Sequence, residues 1–123
     1  MPPRTRPETI RDTYLELIDK HLEDLVNNRA TEMWEIEDFA ERLHVHPVHL
    51  TNTLKALTGS SACGLYQVKI LDIAKKMLAH STLSIHDVAL VLTFEPSQFT
   101  KWFKRFEGIT PKAFRTSAQI LKS

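Results

Sequence analysis

Apolar residues recur along this chain at helical spacing and rarely alternate as a strand would, which predicts an all-α fold of about seven helices. Ile10, Tyr14, Leu17, Ile18, Leu22, Leu25 and Val26 form one stripe, so a first helix is expected to begin after Pro7 and run to about Asn28. A loop over 27–35 follows, with Trp34 as its anchor in the core. Short helices are expected over about 36–43 and 47–58. Pro47 suits a first helical position, where a missing N–H is harmless, and Gly59 suits the left-handed residue just past a helix end. A longer helix over about 62–79 is apolar on most sides, as expected of a rod packed between two subdomains. It carries Leu65, Val68, Ile70, Leu71, Ile73, Ala74, Met77 and Leu78. Beyond it come a helix over about 85–92 capped by Ser84, one from Pro96 to a stop at Gly108, and one from Pro111 through about Ser117, extending towards Leu121. The expected divisions are 1–61, the linker helix 62–79, and 80–123.

Shifted by 49 residues, the chain aligns with itself without a gap: FAERLHVHPVHLTNTLKALTG (39–59) lies over VALVLTFEPSQFTKWFKRFEG (88–108). Ala40/Ala89, Leu43/Leu92, Pro47/Pro96, Thr51/Thr100, Lys55/Lys104 and Gly59/Gly108 are identical pairs. Apolar character also matches at Phe39/Val88, Val45/Phe94, Leu50/Phe99, Leu54/Phe103 and Leu57/Phe106. Helical periodicity alone could produce the apolar matches. It does not place a proline, a threonine, a lysine and a glycine in one register, so the chain contains a duplicated unit.

Each unit is a short helix, a turn of about four residues and a second helix. Ala40 and Ala89 are small enough to let the two helices approach closely. Leu50, Leu54 and Leu57 share an inward face, as do Phe99, Phe103 and Phe106. At about 100° per residue, Val48, Asn52 and Lys55 then point outward with Thr51 beside them. In the second unit Ser97, Lys101 and Lys104 point outward, with Gln98 and Thr100 at the edges. Two helices at a steep angle, the second with a polar and basic outer face, make the helix-turn-helix plan, whose second helix fits the major groove of DNA. Two such units on one rigid helix would reach successive grooves, about one duplex turn (roughly 34 Å) apart.

The charge balance supports a polyanionic partner only when resolved along the chain. The formal net charge is +1, yet residues 1–43 hold six Lys/Arg against eleven Asp/Glu, while residues 44–123 hold ten against four. Such asymmetry points to a polyanion-binding face in the C-terminal two thirds.

At these residues the sequence resembles the DNA-binding domain of the AraC/XylS family of bacterial transcription regulators. FAERLHVHPVHLTNTLKALTG is similar to the family's first motif and GLYQVKILDIAKKML to its linker helix. SIHDVALVLTFEPSQFTKWFKRFEGITPKAFR is similar to its signature, ending in Gly108-Ile109-Thr110-Pro111 and the pair Phe114-Arg115. The resemblance covers about 8–118. It implies base reading by Val48, Thr51 and Asn52 in the first unit and by Ser97, Gln98 and Lys101 in the second. Phosphate contacts are implied for Lys55, Lys104 and the turn before each reading helix. The chain departs from the family where Thr93 replaces a glycine in the second turn, which is also one residue shorter than usual. It departs again where Asn52 and Lys69 stand at positions that often hold Arg, and the ligand-binding domain of larger members is absent from this sequence.

His44, His46 and His49 are spaced so that two imidazoles could meet across a turn, but no Cys or acidic ligand is near, so no metal site is expected. His46 and His49 instead suit phosphate contact, because a helix N-terminus already attracts anions. His44 stands where such turns often carry glycine. No set of nucleophile, base and orienting group is present, so no catalytic residues, cofactor or enzyme activity are expected. Cys63, the one cysteine, reads as a small buried or half-buried side chain, and Trp102 with its neighbouring phenylalanines reads as core. No apolar run is long enough to span a bilayer and the N-terminus lacks the apolar stretch of a signal peptide, so a cytoplasmic, nucleoid-associated protein is expected. The expected partner is double-stranded DNA, with RNA polymerase a further candidate and no membrane or small-molecule domain. The competing reading is a helical protein-interaction module that uses the acidic first helix and does not bind DNA.

Overall fold

A computed structural model describes residues 5–122, all helices, turns and loops, in the order α1 (Arg6–Val26), α2 (Ile36–Arg42), α3 (Pro47–Thr58), α4 (Ala62–His80), α5 (Ile85–Val91), α6 (Pro96–Glu107) and α7 (Pro111–Lys122). The first four residues and Ser123, which fall within the expected outer divisions of the chain, lie outside the described residues. No described helix is long and apolar enough to cross a membrane.

Local chemistry sets the helix ends. α1 starts one residue before Pro7 rather than after it, because Thr5 and Glu8 exchange hydrogen bonds: the Thr5 hydroxyl accepts from the Glu8 N–H (3.3 Å) and the Glu8 carboxylate accepts from the Thr5 N–H (3.2 Å). This reciprocal pairing satisfies two donors that a helix start leaves open. α1 stops at Val26, two residues short of the expected end, and Asn28 turns the chain with a φ of 59°. α7 runs from Pro111 to Lys122, along the expected extension towards Leu121 and one residue beyond it. Ser84 caps α5 by accepting from the Asp87 N–H at 3.0 Å.

Contacts gather the chain into two compact units, Met1–Asp24 with Trp34–Lys69, and Leu25–Met33 with Ile70–Ser123. The core of the first contains Ile10, Tyr14, Ile18, Leu22, Phe39, Leu50, Leu54 and Tyr66. Phe39 is its hub, packing edge-on against Tyr14 (5.4 Å) and Tyr66 (5.0 Å) and close to Trp34 (5.2 Å). The Tyr14 hydroxyl donates to the Ala62 carbonyl at 2.6 Å, which ties α1 to the start of α4. His21 is also buried here, absent from the apolar stripe because it is polar. Its ring stacks on Trp34 at 4.3 Å and its Nε2 accepts from the Trp34 N–H at 2.9 Å. Trp34 anchors its loop as expected, although it is half-buried, with the Arg42 guanidinium 3.6 Å from its ring.

In the second unit Ala74, Met77, Leu78, Val88, Ala89, Leu92, Phe99 and Phe103 form one buried cluster. The signature's closing pair belongs to it structurally. Phe114 packs on Phe103 at 5.6 Å, and Arg115 Nε donates to the Leu78 carbonyl at 2.8 Å, in the last turns of α4 where cations suit the helix dipole. α4 is less apolar outside than expected: Val68 shares an exposed row with Asp72 and Lys76, each four residues on. Cys63, on the second residue of that helix, is exposed rather than buried, because the inward position of the first turn goes to Ala62 and then Tyr66.

Candidate nucleic-acid interface

Both repeats build the same turn, atom for atom. In the first, the His44 N–H donates to the Glu41 carbonyl (3.1 Å) and the Val45 N–H to the Ala40 carbonyl (3.0 Å). In the second, the Thr93 N–H donates to Leu90 (3.0 Å) and the Phe94 N–H to Ala89 (2.8 Å). This double closure requires a left-handed residue at its centre, and His44 (φ 57°) and Thr93 (φ 65°) both adopt it. Chain direction then reverses sharply enough for the second helix to cross the first over Ala40 and Ala89, which are buried.

The second helices are matched as well. α3 and α6 each have proline in the first turn and stop at a left-handed glycine, Gly59 (φ 80°) and Gly108 (φ 91°), whose N–H bonds back to Lys55 and Lys104. Leu50 and Leu54, and in α6 Phe99 and Phe103, are fully buried. The third member of each inward set is not: Leu57 is 39% and Phe106 49% exposed. The reason is length. At 1.5 Å per residue the seven-residue helices α2 and α5 run about 10 Å and the twelve-residue α3 and α6 about 18 Å, so the last turn outreaches its cover.

What remains outward is polar and basic in both repeats. On α3, Val48, His49, Asn52 and Lys55 are exposed, with Thr51 half-buried beside them. On α6, Ser97, Gln98, Lys101 and Lys104 are exposed, with Thr100 half-buried. Each expected set is therefore brought together on one face of one helix. Arg105 adds a cation to the α6 face that periodicity alone did not single out. It lines a groove of about 350 Å³ with Phe94, Gln98, Lys101 and Trp102. Trp102 is thus half-buried beside the outward face rather than wholly in the core, its ring 4.8 Å from Phe94.

The caps differ between repeats. His46 caps α3 through Nδ1, which accepts from the Val48 N–H at 3.1 Å. Its counterpart Glu95 caps α6, accepting from the Gln98 N–H at 3.1 Å and from the Ser97 hydroxyl. Those bonds, the Ser97 hydroxyl first, hold the Glu95 carboxyl below its usual range. An acidic group thus stands at the tip of α6, and the Ser97 hydroxyl, expected to read a base, is engaged by it. Only the alignment of Glu95 with His46 could have signalled this from the sequence. Lys69, on α4, is occupied by Asp19 of α1 at 2.7 Å.

Two duplicated helix-turn-helix units, each with an intact turn and an outward polar face, define a tandem helix-turn-helix protein. The helix-turn-helix domain model of protein families matches residues 39–117, and the chain belongs to this AraC-type family. Among solved structures it is similar to the C-terminal domain of AraT, a response regulator from Geobacillus stearothermophilus, at 25% identity and a TM-score of 0.77, covering 92% of this chain and 88% of that one. It is also similar to two helix-turn-helix transcriptional regulators of Bacillus subtilis, YtdP (28% identical over 105 residues, 85% of this chain) and YobQ (29% over 93 residues, 75% of this chain). The chain spans 14% and 39% of the lengths of these two relatives.

Proposed function

We propose that this chain is a sequence-specific, duplex-DNA-binding transcription regulator without catalytic activity of its own, in which α3 and α6 each enter a major groove and the two grooves are successive. The observation that carries this is the repeat of one exposed polar and basic face on two second helices in the same register, each behind the same turn. In this reading Asn52 pairs with adenine, Val48 meets a thymine methyl, and Lys101 meets guanine, the pairings their donors, acceptors and methyl groups favour. Gln98, Thr51 and Thr100 flank the readers, while Lys55, Lys104, His46 and His49 hold phosphates. Its place of action is chromosomal DNA in the cytoplasm, where an effect on transcription is exerted through RNA polymerase.

The test compares Asn52→Ala with Lys55→Ala on a selected operator and on random duplex. Loss of Asn52 is expected to cost roughly 1–3 kcal/mol on the operator and to relax one position, while loss of Lys55 weakens both DNAs about equally. With about five to eight phosphates neutralised, the log–log salt slope is expected near −5 to −7. Equal losses on both DNAs for both variants would refute the assignment of reader and anchor. A slope shallower than about −2 would refute groove docking and favour a protein-interaction module.

A further inference from the structure

The duplication provides an internal comparison for the caps of α3 and α6. His46 and Glu95 occupy the same place, related by the 49-residue shift, at the tip of each outward face. An imidazole nitrogen that accepts a hydrogen bond carries no proton. With Nδ1 accepting from Val48, His46 keeps its proton on Nε2 and offers a donor. Glu95 offers the opposite. It is exposed, and the bonds from the Ser97 hydroxyl and the Gln98 N–H both fall on Oε2. A carboxylate so held is an exposed acceptor pinned at the start of the helix.

In the major groove the edges differ in what they present. Guanine shows two acceptors, thymine an acceptor and a methyl group, adenine an acceptor beside its amino donor, and cytosine an amino donor alone. An ionised oxygen is repelled by the first two, meets mixed polarity on adenine, and is matched by cytosine. It also opposes phosphate, so its presence weakens binding that ignores sequence. Glutamate is moreover not among the favoured capping residues, which are Ser, Thr, Asp and Asn. A serine at this place would cap α6 at least as well without adding a charge.

We propose that Glu95 is a specificity-determining residue of the second reading helix, selecting cytosine through Oε1 while Ser97 and Gln98 pin Oε2. This rests on the DNA-binding reading above. At the matching place in the first unit, His46 donates and so tolerates guanine or a phosphate, which makes the two half-sites unequal at this register.

The experiment selects operators from a random duplex library with the full chain, with Glu95→Ser and with Glu95→Gln. Ser keeps a capping oxygen, so the helix start is retained while the reach into the groove is lost. The natural chain is expected to require cytosine at one position, with about a tenfold loss for any other base there. E95S is expected to be folded at least as stably, to accept all four bases at that position only, and to bind random duplex more tightly. E95Q is expected to shift the preference to guanine, whose two acceptors match the outward amide NH2 when the amide oxygen makes the cap. If E95S is folded and keeps the cytosine requirement, or if the natural chain selects operators with no cytosine requirement, Glu95 is a cap and the proposal fails while the DNA-binding reading stands. If the natural chain selects nothing, both fall together.

Discussion

Thr93 is the most strained residue that the structure explains, and replacing it with glycine tests that explanation. Its φ of 65° places Cβ against the following carbonyl, at a cost of about 1–2 kcal/mol for an L-residue. A β-branched side chain sits towards the upper end of that range. Thr93 is exposed, and the bonds that hold the turn, from Thr93 N–H to Leu90 and from Phe94 N–H to Ala89, are backbone bonds that glycine keeps. Little packing is lost in Thr93→Gly. Glycine frees the unfolded chain by about 0.5–1 kcal/mol, which offsets part of the gain. The net expectation is a stabilisation of about 1 kcal/mol, or a rise in Tm of roughly 4 °C for a domain of this size. His44 adopts the same conformation in the first turn, but histidine is several-fold enriched there and is not branched. His44→Gly should therefore gain less, about 0.5 kcal/mol or nothing. Urea denaturation followed by circular dichroism resolves the two. If Thr93→Gly destabilises the protein, or gains less than His44→Gly, strain at this turn is not what the threonine costs.

The remaining expectations concern the core and its buried histidine. Phe103→Ala removes a fully buried ring and should cost about 3–5 kcal/mol, whereas Phe106→Ala, half exposed at the uncovered end of α6, should cost less than about 1 kcal/mol; chemical denaturation of the pair would expose an error if the costs were similar. Burial holds the His21 imidazole below its ordinary value of 6.5, Arg42 pushing the same way and Asp24 and Asp38 opposing. Protonation would also take the acceptor from the Trp34 N–H. With the folded value below the unfolded one, the stabilisation is fully present above about pH 6.5 and is lost as the pH falls from there. The stability gap between the natural chain and His21→Gln should therefore narrow between pH 7.5 and pH 5 in denaturation midpoints, and a constant gap would show that His21 does not titrate in this window.

The legible part of this protein was whatever depends on neighbours along the chain. Helix positions, the Pro47 and Pro96 starts, the Gly59 and Gly108 stops and the Ser84 cap follow from local backbone geometry and from a 3.6-residue period, so both outward faces could be read before any coordinates. The duplication sharpened this, because two copies of one register separate a shared plan from chance periodicity. Tertiary structure decided whatever depends on which groups lie opposite. Leu57 and Phe106 carry the pattern of core residues and are exposed, because burial needs a covering partner and α2 and α5 are too short to supply one. Cys63 and Val68 are exposed for the same kind of reason, since hydropathy ranks a side chain but does not say which side of its helix is covered. His21 is the converse: a polar residue buried because the Trp34 ring and N–H meet it from a loop thirteen residues on.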